Sequence, residues 1–231
     1  MISNSQIDKI GSRLRSGSID GDCLEKLEFF RKQFTPAYEF TEDVLVNKMG
    51  LKITGRPSKS TVAIIEKLKR GKMRLSQMQD VAGCRVLVPH LAAQDRLVQN
   101  LEVMLLDVEI DDKRKVPTNG YRAVHVIAKQ LGRPVEIQVR TNLQHVWANL
   151  SEKVADQFGH SIKYGAGDAG AISFLNNLSD ETALLEDVRH RKLYLSQRKA
   201  RLGKSKGVVR QSKLLNYEER EILRRIRRLF A

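Results

Sequence analysis

Residues 133–141 read RPVEIQVRT, and from Val135 to Arg140 apolar and polar side chains alternate without a break. A period of two is the signature of a β-strand with unlike faces. Val135, Ile137 and Val139 therefore face a core, and Glu136, Gln138 and Arg140 face away from it. The segment before it, Tyr121 to Lys129, alternates too: Val124, Val126 and Ala128 lie on one side, Tyr121, Ala123 and His125 on the other. QLGRP joins the two, and Gly132 supplies the backbone freedom of a tight turn. Arg122 falls on the apolar side but at the start of its strand, where it can reach solvent. If both apolar sets share the core, Tyr121, His125, Glu136, Gln138 and Arg140 gather on the opposite face. A solvent-facing sheet surface is the plain alternative to a polar site there.

The chain has 231 residues with 41% hydrophobic side chains, enough to bury a real core. No apolar run reaches the roughly 18 residues of a membrane span, and the N-terminus lacks the apolar stretch of a secretory signal, so a cytosolic protein without membrane contact is expected. Cys23 and Cys84 are far apart and form no CxxC pair, which argues against a disulfide framework or zinc site. The formal net charge is +14, and +9 of it lies between Gln197 and the C-terminus, where 12 Lys and Arg face only Glu218, Glu219 and Glu221. Such a basic element meets nucleic acid, nucleotide phosphates or an acidic partner, or is a solvated helix face.

Helical spacing of Leu24, Leu27, Phe30 and Phe34 follows a cap at Asp20 or Asp22, and a second helix follows Pro36. LKITG reads as a short strand, and Ser60 opens a helix through Arg70. CRVLV reads as a buried strand, followed by a helix near Leu91 to Leu105 and a strand near Leu106 to Ile110. Beyond Thr141 the pattern is helical: Asn142 to Phe158, Asp168 to Leu202 and Leu214 to Phe230. KYGAGDAGA (Lys163 to Ala171) and GKSKGVVRQS (Gly203 to Ser212) read as hinges. The expected fold is α+β, a mixed sheet of about five strands flanked by helices. Three segments are expected: a helical 1–50, a core 51–160 and a basic helical extension 161–231.

Gly50-LKIT-Gly55 has the glycine spacing of a phosphate-binding loop, but Arg56 and Pro57 stand where that motif needs Lys and a hydroxyl residue. Pro57 also removes an amide donor, so a P-loop is rejected. Asp80, at a turn before CRVLV, and Glu136 are instead two carboxylates within reach of one sheet face. With Arg and Lys nearby, they suit Mg²⁺ and a polyphosphate.

Five segments in order then carry a family likeness: R-P-S-K with EKLKR (Arg56, Lys59, Lys67), D-V-A-G-C-R (Asp80 to Arg85), N-G-Y-R-A-V-H (Asn119 to His125), E-I-Q-V-R-T (Glu136 to Thr141) and L-Q-H-V-W-A (Leu143 to Ala148). From about Gly55 to Lys153 the chain resembles the synthetase domain of the RelA/SpoT alarmone synthetases, most of all the small single-domain members, some of them toxins. The resemblance implies a nucleotidyltransferase-like fold and transfer of the β,γ-diphosphate of ATP to the ribose 3′-hydroxyl of GDP or GTP, giving (p)ppGpp. By this likeness Asp80 and Glu136 are the catalytic and Mg²⁺-binding pair, with Glu136 also an acceptor for the hydroxyl proton. Arg56, Lys59, Lys67 and Arg85 bind ATP, and Asn119, Tyr121, His125, Gln138 and Arg140 bind the acceptor. His145 and Trp147 are expected to pack rather than react, and His90, His160 and His190 to be structural.

The chain departs from the family pattern in DDKRKVPTNGY, where the usual run is Tyr-x-x-Pro-Lys-x-Asn-Gly-Tyr, and in Ala63, where the family has Ser. These changes touch nucleotide contacts and leave the acceptor open between guanine nucleotides, an adenine nucleotide and the 3′ end of tRNA, the last served by the basic C-terminal segment. A catalytically idle RNA-binding or regulatory module is the alternative of another class. None of the five histidines is followed by Asp, so the family's hydrolase pair is not expected. An antitoxin is an open partner. So is a second copy, through Leu215, Ile222, Leu223, Ile226, Leu229 and Phe230.

Overall fold

A computed structural model describes residues 2–202 and 205–230. A five-stranded sheet has the order β1-β2-β5-β4-β3, from β1 (Ile53–Arg56), β2 (Ala82–Val88), β3 (Val108–Asp112), β4 (Val124–Gln130) and β5 (Arg133–Thr141). β1 and β2 pair antiparallel with Gly55 opposite Cys84. β4 and β5 join through Leu131 and Gly132, both at positive φ (48° and 76°). On β5, Val135, Ile137 and Val139 are fully buried between half-buried Glu136 and Gln138, as the alternation requires.

The chain forms two compact units. The first comprises 1–86, 99–111 and 125–138 and holds α1 (Asn4–Ser16), α2 (Gly21–Lys32), α3 (Thr35–Asp43) and α4 (Thr61–Arg70). α1 buries Ile7, Ile10 and Leu14 at helical spacing and packs against α2 and α4. A capping box opens α1: the Ser3 hydroxyl accepts from the Gln6 amide, and the Gln6 side chain accepts from the Ser3 amide. Arg15 ends α4, its Nε donating to the Leu68 carbonyl at 2.8 Å and its Nη2 to that of Met73 at 2.6 Å. A cation there satisfies carbonyls that the helix leaves open. Ser60 caps the other end of α4 by accepting from the Ala63 amide.

The second unit comprises 87–98, 112–124 and 139–231 and includes α6 (Asn142–Phe158), α7 (Ala169–Leu202) and α8 (Lys206–Arg228). Trp147, Ala155, Leu175 and Leu178 form one core cluster, and Leu185, Val188, Leu195, Leu215 and Ile222 another. Thr141 caps α6 in a second capping box with Gln144. Behind it runs a buried polar network. Gln94, fully buried, donates to the Val139 carbonyl and to Gln144, and Gln144 Nε2 and the Thr141 hydroxyl both donate to the Glu186 carboxylate. The remaining helix, α5 (Leu91–Met104), opens with His90 Nδ1 accepting from the Ala93 amide at 3.1 Å, a structural role as expected.

Four expectations are corrected. Tyr121 is not on β4, which begins at Val124. Asn119 and Gly120, at φ 50° and 80°, turn the chain sharply, and Tyr121 forms only an isolated bridge to Thr118. Gly120 lies against Trp147, where a Cβ would come within 2.8 Å of the indole. Arg122 does not seek solvent: it donates to Ser179, Asp180 and the Arg114 carbonyl. The hinge read at Gly203 to Ser212 starts with Gly203 and Lys204, outside the described residues. From Ser205 onward it is a helix start, because the Ser205 hydroxyl accepts from the Val208 amide and Val208, Leu215 and Ile222 make one buried stripe. Last, the apolar residues offered for assembly are used within the chain: Leu215, Ile222, Leu223 and Ile226 pack on the α7 cluster, Leu229 packs beside Trp147, and Phe230 meets Phe174 edge-on at 5.4 Å.

Candidate active site

In the first unit a cavity of about 270 Å³ is lined by Thr54, Gly55 and Arg56 of β1, Gly83, Cys84 and Arg85 of β2, Glu136 and Gln138 of β5, and Lys59 and Asp80 from the loops before α4 and β2. Six of the expected site residues thus meet in one place: Arg56, Lys59, Asp80, Arg85, Glu136 and Gln138. Two more are tied to its carboxylates. Lys67, on the last turn of α4, pairs with Asp80 Oδ2 at 2.7 Å, and His125 Nδ1 donates to Glu136 Oε1 at 3.0 Å.

The two carboxylates are held differently. Lys59 and Lys67 both grip Asp80 Oδ2. Oδ1 is buried and has no hydrogen-bond partner. Burial pushes the Asp80 carboxyl up, but Lys67 and then Lys59 outweigh it and hold the group below the ordinary carboxylate range. Glu136 is also pushed up by burial, and by Asp80, yet the hydrogen bond and charge of His125 and the 2.7 Å bond from Gln138 Nε2 bring it below its usual value. Both are therefore ionised at neutral pH. Cys84 is the contrast: burial, reinforced by Glu42 and Glu136, pushes its thiol up to about 12, so it lines the cavity as an inert group.

The loop before α4 is fixed from several sides. The Lys59 amide donates to the Val81 carbonyl at 2.7 Å, and Arg31 of α2 reaches across to donate to Ser58 at 3.0 Å. The cavity also needs two glycines that no reading of charge would single out. A Cβ at Gly83 would stand 2.7 Å from the Glu136 carbonyl oxygen, and one at Gly55 would stand 2.5 Å from the Tyr38 hydroxyl. Their only signal in the sequence is position: Gly55 directly precedes Arg56, and Gly83 stands two residues before Arg85.

Asn119, Tyr121 and Arg140 belong to the second unit and are not among the residues of this cavity. There Arg140, almost fully buried, lies over the Tyr121 ring at 5.0 Å from its centre and donates to its hydroxyl at 2.9 Å. Asn119 donates to the Lys163 carbonyl at 3.1 Å. Trp147 is buried and donates to the Leu175 carbonyl, a packing residue as expected; His145 shares a 3.2 Å contact with Asn149 on its own helix. Among the described residues no group of three or more His, Cys, Asp or Glu could hold a metal.

Residues 55–164 match a family profile described as a region found in RelA / SpoT proteins. This segment is similar to that RelA/SpoT region. It contains every candidate site residue from Arg56 to Arg140. Over 171 residues, 70% of its length, the chain is 34% identical to an uncharacterized protein of Mycobacterium tuberculosis, and it spans 62% of the length of that curated relative. It is 30% identical over 129 residues to a GTP pyrophosphokinase of Haemophilus influenzae, which covers 53% of this chain and 16% of the enzyme. In fold it is similar to the small alarmone synthetase 1 of Bacillus subtilis, with a TM-score of 0.56 and 19% identity, over 78% of this chain and all of that one. The same synthetase bound to its product pppGpp gives a TM-score of 0.55 at 20% identity, again over 78% of this chain and all of that one. The α+β architecture expected for the RelA/SpoT region, a five-stranded sheet flanked by helices, is the one found.

Proposed function

We propose that the chain is a diphosphotransferase that moves the β,γ-diphosphate of ATP to the ribose 3′-hydroxyl of GDP or GTP, with 51–160 as the catalytic core. The observation that carries this reading is the cavity in which Asp80 and Glu136 meet Arg56, Lys59 and Arg85. In the reaction the 3′ oxygen attacks the β-phosphorus of ATP, the bond from that phosphorus to the oxygen bridging it to the α-phosphate breaks, and AMP leaves. The acceptor hydroxyl gives up its proton. Such a transfer is mostly positioning and charge stabilisation, since the moving group is highly anionic.

Arg56, Lys59, Lys67 and Arg85 supply the positive charge that binds ATP, the lysines as point charges and Arg56 as a planar group able to stack on adenine. Lys59 and Lys67 both pair with Asp80 Oδ2, and that shared partner fixes the positions of the two ammonium groups. Glu136, ionised and oriented by His125 and Gln138, accepts the hydrogen bond of the attacking hydroxyl and its proton. Asn119, Tyr121, His125, Gln138 and Arg140 are assigned to the acceptor, Tyr121 by stacking on its base. Mg²⁺ suits this donor set. Asp80 Oδ1 is buried and unpartnered, Glu136 is the second carboxylate, and magnesium typically takes one or two carboxylates and leaves the rest of its shell to water and phosphate. When bound, it neutralises charge on the transferred phosphates.

A second acceptor is favoured by one feature, the positive charge concentrated between Gln197 and the C-terminus: tRNA, whose 3′ end offers the same ribose hydroxyl. An adenine nucleotide is the third. The test is incubation of the purified protein with γ-labelled ATP and Mg²⁺, offering GDP, GTP, ADP and deacylated tRNA separately. Label on GDP or GTP is expected. Label on tRNA alone would make the protein a blocker of translation, and label on no acceptor would leave an idle binding module. Asp80→Asn and Glu136→Gln should each lower transfer by roughly 100-fold or more while the circular dichroism spectrum is unchanged.

A further inference from the structure

Between Val188 and Tyr217 the chain carries ten Lys and Arg and not one Asp or Glu. In the second unit its described residues form the C-terminal part of α7 and the N-terminal part of α8, which run antiparallel. The ion pairs between the two helices use acids outside the stretch: Arg189 and Lys192 with Glu219, Arg191 with Glu218, and Arg225 with Glu181. Arg198, Lys199, Arg201, Lys206, Arg210 and Lys213 lie beyond those pairs, where neither helix has an acidic residue.

A groove of about 770 Å³ opens at this end, lined among others by Arg191, Tyr194, Arg198, Gln211, Leu214 and Tyr217. The hairpin's packing does not need its aromatic residues. Leu195, Leu215 and Ile222 make the seam, whereas Tyr194 and Tyr217 are 64% and 60% exposed. Two tyrosines left in water beside arginines, in a concavity with no acid but Glu218, are unusual for a merely solvated helix face, which would carry mixed charge and no rings.

We propose that this groove binds single-stranded RNA, with Tyr194 and Tyr217 stacking on unpaired bases and the surrounding cations following the phosphates. Electrostatics selects a polyanion and disfavours a second copy of the same end, which would bring like charges together. The rings select unstacked bases over a duplex, because only a splayed base offers its face. A concave groove fits extruded bases better than a flat anionic membrane. Gln211 and Glu218 offer acceptors, which suit a ribose 2′-hydroxyl donor and find no donor on deoxyribose. The proposal is independent of the transfer reaction, since none of these residues lies in the carboxylate cavity.

The test is fluorescence anisotropy of the full chain with a labelled 15-nucleotide RNA, the DNA of the same sequence and the RNA in duplex form, over a range of salt. Single-stranded RNA is expected to bind tightest, with affinity falling steeply as salt rises. Tyr194→Ala and Tyr217→Ala should each weaken binding roughly tenfold, Tyr→Phe at either position should preserve it, and Asp80→Asn should bind as the parent does. Both tyrosines are exposed, so unchanged melting of the variants is expected, and the Phe pair guards against a folding defect. Equal binding of duplex, or alanine variants that bind like the parent, would reduce the surface to unspecific charge and overturn the proposal. So would DNA bound as tightly as RNA. Displacement of the RNA by poly-glutamate or by phosphatidylserine vesicles, bound regardless of the tyrosines, would instead point to an acidic protein or a membrane.

Discussion

At Glu136 burial and hydrogen bonding pull in opposite directions, and the bonds win. His125 is the stronger of the two partners, so His125→Ala removes its hydrogen bond and lets burial raise the carboxyl. If Glu136 must be ionised for transfer, the acid limb of the rate profile should move to higher pH in that variant, and an unmoved limb would take Glu136 out of the proton's path. Gly83 makes a different kind of prediction. A methyl group there would press on a backbone carbonyl that belongs to the sheet and has little room to yield. Gly83→Ala should cost roughly 1–3 kcal/mol, read as a lower urea midpoint at unchanged slope.

The element that ties the second unit together is α7, through one buried carboxylate. Burial raises Glu186 more than Thr141 and Gln144 lower it, so its folded pKa stands above the unfolded value. Below the unfolded value the carboxyl is protonated in both states and costs nothing. As pH rises through the window between the two values the folded state binds the extra proton, so stability falls, and above the folded pKa it levels off. Thermal melts from about pH 4 to 8 should show this decline in the parent protein and a flatter curve in Glu186→Gln. Identical slopes would show that the carboxylate is better solvated than its burial implies. The neighbouring loop is held by Arg114, paired with Asp112 and Asp95, and by Arg122 on Asp180. Arg114, within the DDKRKVPTNGY run that departs from the family pattern, is therefore a structural clamp.

For the whole molecule, the basic segment and the core of the second unit are not separable. α8 buries Val208, Leu215 and Ile222 on α7, so ending the chain after Ser196 strips a helix from its packing partner and bares Leu185 and Val188. Such a truncation should melt lower and bind a dye for exposed apolar surface, whatever it does to RNA binding. Charge reversal at Lys199 and Lys213 leaves the seam intact and should melt like the parent. If the truncated chain instead kept the parent's melting temperature, the hairpin would contribute nothing to the stability of its unit. Among the described residues no helix is long and apolar enough to cross a membrane.

Strand alternation was legible because a period of two depends only on the backbone: Val135, Ile137 and Val139 had to share a face, and Glu136 and Gln138 had to share the other. Helix starts were legible for the same local reason, as Ser60 and Thr141 show by accepting from amides three residues on. The order of matched segments pointed to Asp80 and Glu136, and both line one cavity. What local pattern could not reach was anything set by long-range contact. Lys67 reaches Asp80 from α4, whose Leu68 carbonyl is held by Arg15, 53 residues away in the chain, and Lys59 reaches it from a loop tied to Val81. Tyr121 lies outside the strand because Asn119 and Gly120 turn the chain at positive φ, and its hydroxyl accepts from Arg140. The apolar stripe of α8 looked equally fit for a partner or for its own chain, since amphipathicity specifies that a face will be buried and leaves open against what; packing on α7 answered that.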